Sequence, residues 1–327
     1  MIAPKTSKIL KTSIKIIIVL ASWIFVGYKI SKFENIENLR SYFTDLNTSQ
    51  IVYLVLILLL MPLNWLLEAI KWRNLIFSIE KLGIFKSLLA VWAGVTIGSI
   101  TPNRIGEFSG RILFLKKENR ITASGLTLYG DLSQFIITFC IGLSSFLILI
   151  KFNLLSSTIQ SFETVVITIS FIAIIISSLI YFRINSIVNY LRKIKILKKL
   201  SGKFNKFDQI STKLKLKTLL ISALRYLVFT SQFYFALRFF KIEIGITEAF
   251  IAIASVYLAS TVIPNIPFAE IGIRLSFSAI FIGFFTSKIA EILLSSTMIY
   301  LINVLFPIIF GGITILFNDK RQVFRAN

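Results

Sequence analysis

Residues 102–111 read PNRIGEFSGR and residues 264–274 read PNIPFAEIGIR, two similar polar phrases set in otherwise apolar sequence. In both, a Pro-Asn pair is followed by a Glu and then by an Arg four positions after that Glu. The two prolines, Pro102 and Pro264, are 162 residues apart in a chain of 327 residues, which is about half its length. This spacing indicates an internal duplication, and in a membrane protein such a duplication is typical of a transporter.

The composition is that of an integral membrane protein. Hydrophobic residues make up 56% of the chain and charged residues only 16%, which is too little polar surface for a soluble protein of this length. The apolar residues form runs of about 15 to 25, the length that a helix needs to cross a hydrocarbon layer of ~30 Å. We therefore predict an all-α, polytopic membrane protein.

The net charge of +21 comes from cations that gather between the apolar runs. We interpret these cations as signals of membrane topology and as contacts to anionic lipid headgroups, and we do not expect a nucleic-acid partner. The densest cluster comprises Arg192, Lys193, Lys195, Lys198, Lys199, Lys203, Lys206, Lys213, Lys215 and Lys217. With one cysteine, Cys140, and no histidine, we expect neither an internal disulfide nor a metal or other cofactor.

Six apolar runs are candidate full spans: residues 14–30, 51–70, 121–150, 163–182, 218–240 and 289–316. Regions 83–117 and 248–286 differ, because each holds two shorter apolar pieces joined by a Pro-Asn phrase. A helix over residues 87–100 would be about 21 Å long and one over 105–115 about 16 Å, both shorter than the hydrocarbon layer.

The distribution of Lys and Arg predicts how these segments are oriented, because cytoplasmic loops carry most of the cations. Region 83–117 has basic residues at both ends, so we expect it to enter and leave the membrane from the cytoplasm as a re-entrant hairpin. The same rule, with both termini cytoplasmic, makes 248–286 a hairpin from the opposite face. The prediction is an inverted repeat of about six spans and two hairpins.

We expect one membrane domain over residues 1–327. Residues 51–150 would form the first repeat unit and residues 218–316 the second, with a basic cytoplasmic loop at 183–217. The hairpins would break at Pro102, Gly106, Pro264, Pro267 and Gly272, because proline and glycine interrupt helices.

The charged residues of the two phrases are the leading candidates for a substrate site. Glu107 and Arg111, like Glu270 and Arg274, are four apart and share a helix face. They could form internal salt bridges that reduce the cost of inserting charge, or they could line a hydrophilic passage. In the second case Arg104, Arg111 and Arg274 are donors for a phosphate, and the glutamates could contact an amine or hydroxyl.

Three further groups are weaker candidates. Asp131 begins the apolar part of its span and is either a substrate contact or a helix cap. Arg225 lies in a later span, where polar groups usually face the helix bundle. Glu68, with Lys71 and Trp72, resembles an anchor at the membrane interface.

The segment from Thr101 to Glu107, Arg111, the pair Asp131-Leu132, and Glu270-x-Gly272-x-Arg274 resemble the transmembrane region of lysylphosphatidylglycerol synthases, the flippase domain of the multiple peptide resistance factor and its stand-alone relatives. The second motif has Phe268-Ala269-Glu270 where Pro-Gly-Gly-x-Gly is commoner. The resemblance implies a lipid translocase that moves an aminoacylated phospholipid between leaflets. In those proteins a separate soluble domain attaches the amino acid, and with about ten residues after the last span we expect this chain to lack it.

The leading hypothesis is a flippase or scramblase for an anionic phospholipid or a lipid-linked saccharide, in the inner (plasma) membrane. A phosphate-binding loop of the Gly-x-x-x-x-Gly-Lys-Ser/Thr type is missing, so movement would be downhill or ion-coupled. A small-solute or ion transporter and an intramembrane lipid-modifying enzyme are the alternatives, although we do not expect an enzyme, because no nucleophile and base pair is evident. A homo-oligomer and a separate lipid-modifying enzyme as partner are both compatible with the sequence.

Overall fold

The computed structural model describes residues 46–101, 104–152, 163–193, 210–262 and 270–323, and within these ranges it is helical with no strand. The α-helices are α1 (Thr48–Ile76), α2 (Ile84–Gly98), α3 (Gly106–Ile112), α4 (Arg120–Lys151), α5 (Glu163–Phe182), α6 (Ile184–Lys193), α7 (Thr212–Phe239), α8 (Ile246–Val262), α9 (Glu270–Gly283), α10 (Ile289–Tyr300) and α11 (Phe306–Val323). A 3-10 turn, Lys117–Asn119, leads into α4, and a π-helical turn, Leu301–Leu305, joins α10 to α11.

Four helices are long and apolar enough to cross a membrane: Thr48–Ile76, Lys117–Lys151, Thr212–Phe239 and Ile289–Phe317. They correspond to the predicted spans 51–70, 121–150, 218–240 and 289–316. The predicted span 163–182 is α5, and it counts as a fifth candidate together with α6, to which it is bent by 72°. The predicted span 14–30 lies outside the described residues.

Side-chain caps fix where the long helices begin. The Asn47 side chain accepts a hydrogen bond from the Gln50 N–H at 2.8 Å, and the Gln50 side chain accepts one from the Asn47 N–H at 3.3 Å, so α1 starts with a capping box. Ser211 caps α7 by accepting a hydrogen bond from the Leu214 N–H. As a result α7 begins six residues before the predicted span and takes in the end of the predicted loop 183–217, which also contains α6.

The short helices α2 and α3 pack side by side in opposite directions. A Cβ atom added to Gly110 would lie 2.4 Å from the Ala93 carbonyl oxygen, and one added to Gly106 would lie 2.6 Å from that of Ile97. The chain therefore reverses between the two helices, and glycine allows the backbones to approach closely. Helices α8 and α9 form the second adjacent pair, and the segment that joins them, 263–269, lies outside the described residues.

The two long helices α1 and α7 make the most extensive contact and run antiparallel. At one end the Gln50 amide donates to the Phe239 carbonyl at 3.1 Å, and at the other Lys217 approaches Asn74 at 3.4 Å. Between these ends Gln232 donates to the Ile57 carbonyl at 2.8 Å.

Hydrogen bonds join the segment before α2 to the segment after α3, and the segment before α8 to the segment after α9. Glu80 accepts hydrogen bonds from the Lys116 N–H at 3.1 Å and from the Asn119 side chain at 2.9 Å, next to the end of α1. Lys288 donates to the Lys241 carbonyl at 2.8 Å, next to the end of α7. We call the end of the molecule with Asn74, Glu80, Lys116, Asn119 and Lys217 the basic face, and the end with Gln50, Phe239, Lys241 and Lys288 the opposite face.

Large apolar side chains cover much of the outer surface. On α1 they include Val55, Leu59 and Leu63, which are 47%, 62% and 42% exposed, and α5 presents many more. A contiguous apolar exterior on long helices is what a lipid environment requires. The chain is a multi-pass, all-helical membrane protein.

Candidate functional site

A cavity of about 310 Å³ lies inside the bundle, and seven of its sixteen lining residues are charged. Helices α1, α3, α4, α7, α8, α9 and α10 all contribute to its wall. The charged or polar lining residues are Glu68, Arg104, Glu107, Arg111, Asp131, Gln134, Thr138, Arg225, Thr261, Arg274, Tyr300 and Asn303. Six of the seven predicted site residues are among them, and the seventh, Glu270, is bonded to one of them.

Glu68 of α1 is the centre of the charged network. Its Oε1 contacts Arg111 at 2.8 Å, and its Oε2 contacts Arg225 at 2.6 Å and Lys71 at 2.8 Å. The Glu68 side chain is 1% exposed, so a single buried carboxylate meets three cations from three helices. A buried charge is tolerated only with such compensation.

The prediction that Glu68, Lys71 and Trp72 form an interfacial anchor is wrong. Each of these residues is only 1% exposed, because this side of α1 packs into the bundle and not towards the headgroups. The Trp72 indole N–H donates to the Thr127 hydroxyl of α4 at 2.9 Å, which holds the two helices together.

In the first phrase, the predicted pair within the helix is present, and it is part of a larger arrangement. Arg111 contacts Glu107 at 3.2 Å across one turn of α3, and Arg104 lies 3.6 Å from Glu107. Arg111 is buried, whereas Arg104 has a side chain that is 31% exposed and a positive φ of 55°. Arg104 thus marks the sharp turn that delivers the chain into α3.

The second phrase is joined to the first by an ion pair that the sequence did not predict. Arg104 donates to both oxygens of Glu270, at 2.7 Å and 3.4 Å. Arg274, the expected partner of Glu270 one turn along α9, is farther away at 3.9 Å. Glu270 therefore binds the guanidinium of the other copy more closely than the one on its own helix.

Arg225 of α7 extends the network across the cavity wall. Its Nε donates to the Asn64 side chain at 2.9 Å, and one of its terminal nitrogens lies 3.4 Å from the Gln134 oxygen of α4. The guanidinium also lies over the rings of Trp65 and Phe229, at 5.5 Å and 5.6 Å from their centroids. These contacts hold a cation at the wall through hydrogen bonds and cation–π attraction together.

Of the five helix breaks predicted from proline and glycine, those at Gly106 and Gly272 lie within the described residues. Pro102, Pro264 and Pro267 lie outside the described residues. Gly106 is the first residue of α3 and packs against α2, which agrees with a break at that point. Gly272 is the third residue of α9, so it does not interrupt that helix. A Cβ atom added to it would have no neighbour within 4 Å.

Sequence reasoning missed Glu68, Lys71, Asn64 and Gln134 as parts of the site. A signal for three of them was present in the sequence: Asn64, Glu68 and Lys71 recur at helical spacing with Met61, Trp65 and Trp72 on the buried side of α1. When a charged residue lies at the same helical spacing as the buried residues of a spanning helix, its side chain is predicted to face the bundle interior.

One of the comparisons with known proteins found a match. The family model of the lysylphosphatidylglycerol synthase TM region matches residues 12–311. This range includes both phrases and every lining residue of the cavity. The chain belongs to that family. Membership links it to a membrane function that concerns lipids. Searches of curated proteins and of solved structures gave no match.

Proposed function

We propose that this family member moves a phospholipid or a lipid-linked saccharide between membrane leaflets, as a flippase or scramblase. The headgroup passes through the charged cavity while the acyl chains stay in the surrounding lipid. The observation that carries the proposal is the cavity itself, which holds four guanidinium groups within a bundle whose outer surface is apolar. Guanidinium groups are well suited to a phosphate, because they offer several N–H donors in one plane.

The contacts at the two faces support an inverted repeat. The segments before α2 and after α3 meet through Glu80 at the basic face, so this helix pair starts and ends there. The segments before α8 and after α9 meet through Lys241 and Lys288 at the opposite face. We infer that both pairs are re-entrant hairpins, entering from opposite sides and meeting at Arg104 and Glu270.

The packing register gives independent support to the repeat. Gly142 of α4 meets Ala254 and Leu258 of α8, and Gly311 of α11 meets Trp92 and Thr96 of α2. Trp92 and Ala254 are 162 residues apart, and so are Thr96 and Leu258, the same separation as between the two Pro-Asn phrases. Equivalent positions in α2 and α8 are thus each in contact with a glycine from the other half of the chain.

The position of the charges suits a passage through the membrane interior. Asp131 follows the start of α4 at Arg120 by 11 residues, or about 16 Å along the helix. Arg225 lies eight residues, or about 12 Å, inside the end of α7 marked by Lys217. We therefore propose that both groups lie at membrane depth, where charge persists when it lines a cavity or a pathway.

Some of the guanidinium donors are available to a ligand. The Nε atoms of Arg111 and Arg274 are buried and have no hydrogen-bond partner among the described residues. The Arg274 side chain is 21% exposed, and its one ion pair among the described residues is the 3.9 Å contact to Glu270. We propose Arg274, together with Arg104 and Arg111, as the phosphate contacts, and Glu107 and Glu270 as contacts for an amine or hydroxyl of the headgroup. Asp131 would contact a hydroxyl.

The distribution of the charges supports a proposal for orientation and location. The basic face carries Arg73, Lys81, Lys86, Lys116 and Lys117 near its loops, so we propose that it is cytoplasmic, in the inner (plasma) membrane. Both termini would then be cytoplasmic. Anionic lipids are the proposed partners, a homo-oligomer and a separate lipid-modifying enzyme are compatible with this role, and no bond-making chemistry is proposed.

A small-solute or ion transporter is the second candidate, and the size of the cavity is compatible with it. A volume of about 310 Å³ is at the lower limit of ligand sites, which is enough for a headgroup or a free solute. Uptake of free glycerol phosphate into sealed vesicles, measured beside lipid exchange, distinguishes the two functions.

The test is leaflet exchange of a fluorescent phosphatidylglycerol in vesicles of phosphatidylcholine and phosphatidylglycerol that contain the purified protein. We expect exchange well above that of protein-free vesicles, and a severalfold loss in each of the variants Glu107→Ala, Arg111→Ala and Arg274→Ala. The matched control is Arg183→Ala, which removes an exposed guanidinium outside the cavity.

Arg111 is buried and ion-paired, so its variant needs a check of folding by gel filtration and thermal unfolding. Arg274→Gln, at a partly exposed position, provides a milder test of the same site. If the folded variants all exchange lipid as fast as the parent, the site assignment is wrong. If the parent protein exchanges no lipid but takes up glycerol phosphate, the second candidate replaces the first.

A further inference from the structure

Asp131 differs from the other acidic residues of the cavity. Glu68, Glu107 and Glu270 each lie within 4.0 Å of at least one arginine. Asp131 lines the same cavity, yet among the described residues it has neither a cation within that distance nor a hydrogen bond to its carboxylate. Its carboxylate is thus the acidic group of the described cavity that can change its charge without breaking an ion pair.

Charged groups face Asp131 from several of the helices packed around α4. Glu68 and Lys71 of α1 and Glu107 and Arg111 of α3 act on it electrostatically. Arg225 of α7 reaches the next turn of α4 through Gln134, Arg104 and Arg274 lie elsewhere in the wall, and α8 contributes the uncharged Thr261. On the other side of α4, α5 contributes Tyr181, which stacks on Tyr129.

The charges of this network do not balance. Its cations are Lys71, Arg104, Arg111, Arg225 and Arg274, five in all, and its ion-paired carboxylates are Glu68, Glu107 and Glu270, three in all. The excess is two positive charges when Asp131 is protonated and one when it is ionised. A headgroup phosphate carries one negative charge, so it meets the larger excess when Asp131 holds a proton.

We propose that Asp131 is a proton-binding site that couples lipid movement to protons, an inference that rests on the proposed function. A phosphate that enters the cavity adds a negative charge near the Asp131 carboxylate and so favours its protonated form. By reciprocity, a proton on Asp131 strengthens the binding of the anionic headgroup. The proton adds to a carboxylate oxygen on the side where the lipid enters and returns to water on the side where it leaves.

Proton and anionic headgroup thus cross together, and the step moves no net charge. This co-transport gives the protein a direction without a nucleotide, since the lipid follows the proton gradient. In a gradient of one pH unit, one proton for each lipid sustains a leaflet ratio of up to about tenfold, with the lipid enriched on the alkaline side.

The experiment uses full-length protein in vesicles of phosphatidylcholine with a small fraction of fluorescent phosphatidylglycerol, under a gradient of one pH unit. We expect enrichment of the labelled lipid in the leaflet that faces the alkaline side, beyond that of protein-free vesicles. Asp131→Asn abolishes the extra enrichment because it cannot bind a proton, and Asp131→Glu retains it. Ser144→Ala, at an exposed position on the same helix but outside the cavity, is the control and keeps the enrichment.

Failure of the inference is distinguishable from failure of the proposed function. Rapid exchange by the parent protein without any enrichment, or enrichment that persists in Asp131→Asn, overturns the proton site and leaves the lipid function intact. If no lipid moves at all, the proposed function fails, and a binding measurement decides on the proton site.

That measurement is proton uptake from weakly buffered solution when dihexanoyl phosphatidylglycerol is added to protein in detergent. This lipid is a phosphodiester and does not itself take up protons near neutral pH. Uptake that approaches one proton for each chain, lost in Asp131→Asn and kept in Asp131→Glu, is the expected result. No uptake, or equal uptake by parent protein and Asp131→Asn, rejects the inference.

Discussion

Glu68 shows how a single residue organises the cavity. It meets Lys71 of its own helix, Arg111 of the α2–α3 pair and Arg225 of α7, and it is almost completely buried. The cations could not remain at this depth without the carboxylate, because removal of one partner leaves the others buried and uncompensated. Glu68 therefore fixes the position of two guanidinium groups of the cavity wall, one of which, Arg111, we propose as a phosphate contact.

This role predicts a large effect of Glu68→Gln. The variant leaves three cations around a neutral amide, so we expect a loss of about 3–5 kcal/mol of stability and a clearly lower Tm in detergent. Glu80→Gln is the control: it removes a carboxylate charge at the basic face, where the amide oxygen can still accept hydrogen bonds from the Lys116 N–H and the Asn119 side chain. Equal Tm values for Glu68→Gln and the parent protein would remove Glu68 from the centre of the network.

At the residue scale, the sequence predicted the participants better than their partners. The spacing of Glu107 and Arg111 indicated a pair across one turn, and this pair is present at 3.2 Å. The pairing of Arg104 with Glu270 could not be predicted, because it joins residues 166 positions apart and depends on how the two phrases meet in space. Glu68 was wrongly predicted to lie at the membrane interface. A charged residue near the end of an apolar run gives the same sequence pattern whether it faces the lipid headgroups or the bundle interior.

Helix elements were more predictable, since apolar runs of sufficient length leave few alternatives in a membrane. The runs 51–70, 121–150 and 289–316 each fall within a long helix of the structure. The start of α7 was predicted too late because Lys213, Lys215 and Lys217 were assigned to a loop, although Ser211 caps the helix before them. Lysines near the end of a spanning helix can keep their ammonium groups in water while the backbone continues as helix.

The close approach of α2 and α3 depends on the small residues at their contact. A Cβ atom on Gly110 would overlap the backbone of Ala93 and Gly94, at 2.4 Å and 2.5 Å from the nearest atoms. Backbone atoms cannot move aside as the end of a flexible side chain can. Separation of α3 from α2 would also shift Glu107 and Arg111, because both residues are on α3.

We therefore predict that Gly110→Ala lowers stability by about 1–3 kcal/mol through overpacking and also slows lipid exchange. Gly272→Ala is the matched control at a helical glycine, since nothing lies within 4 Å of the added carbon. The measurements are Tm in detergent and leaflet exchange in vesicles. A Gly110→Ala protein as stable and active as Gly272→Ala would contradict the close packing of the hairpin.

At the scale of the whole molecule, the account depends on two helix pairs that return to opposite faces and meet between them. Hydrogen bonds at each face support this topology, through Glu80 at one and through Lys241 with Lys288 at the other. The sequence led to the same arrangement through the positions of Lys and Arg, which depend on membrane insertion and not on packing. The hydrogen bonds and the positions of the cations thus favour one topology independently of each other, and the proposed proton site and lipid path both require it.

The most direct test of this topology is the sidedness of labelling at single cysteines. Lys116 and Lys288 are exposed positions after the first and second helix pairs, so each is replaced by cysteine in a chain whose own Cys140 is changed to alanine. A membrane-impermeant maleimide is applied to intact cells and to inside-out vesicles. We predict that Lys116→Cys reacts only from the cytoplasmic side and Lys288→Cys only from the opposite side, whereas reaction of both from the same side would contradict the inverted arrangement.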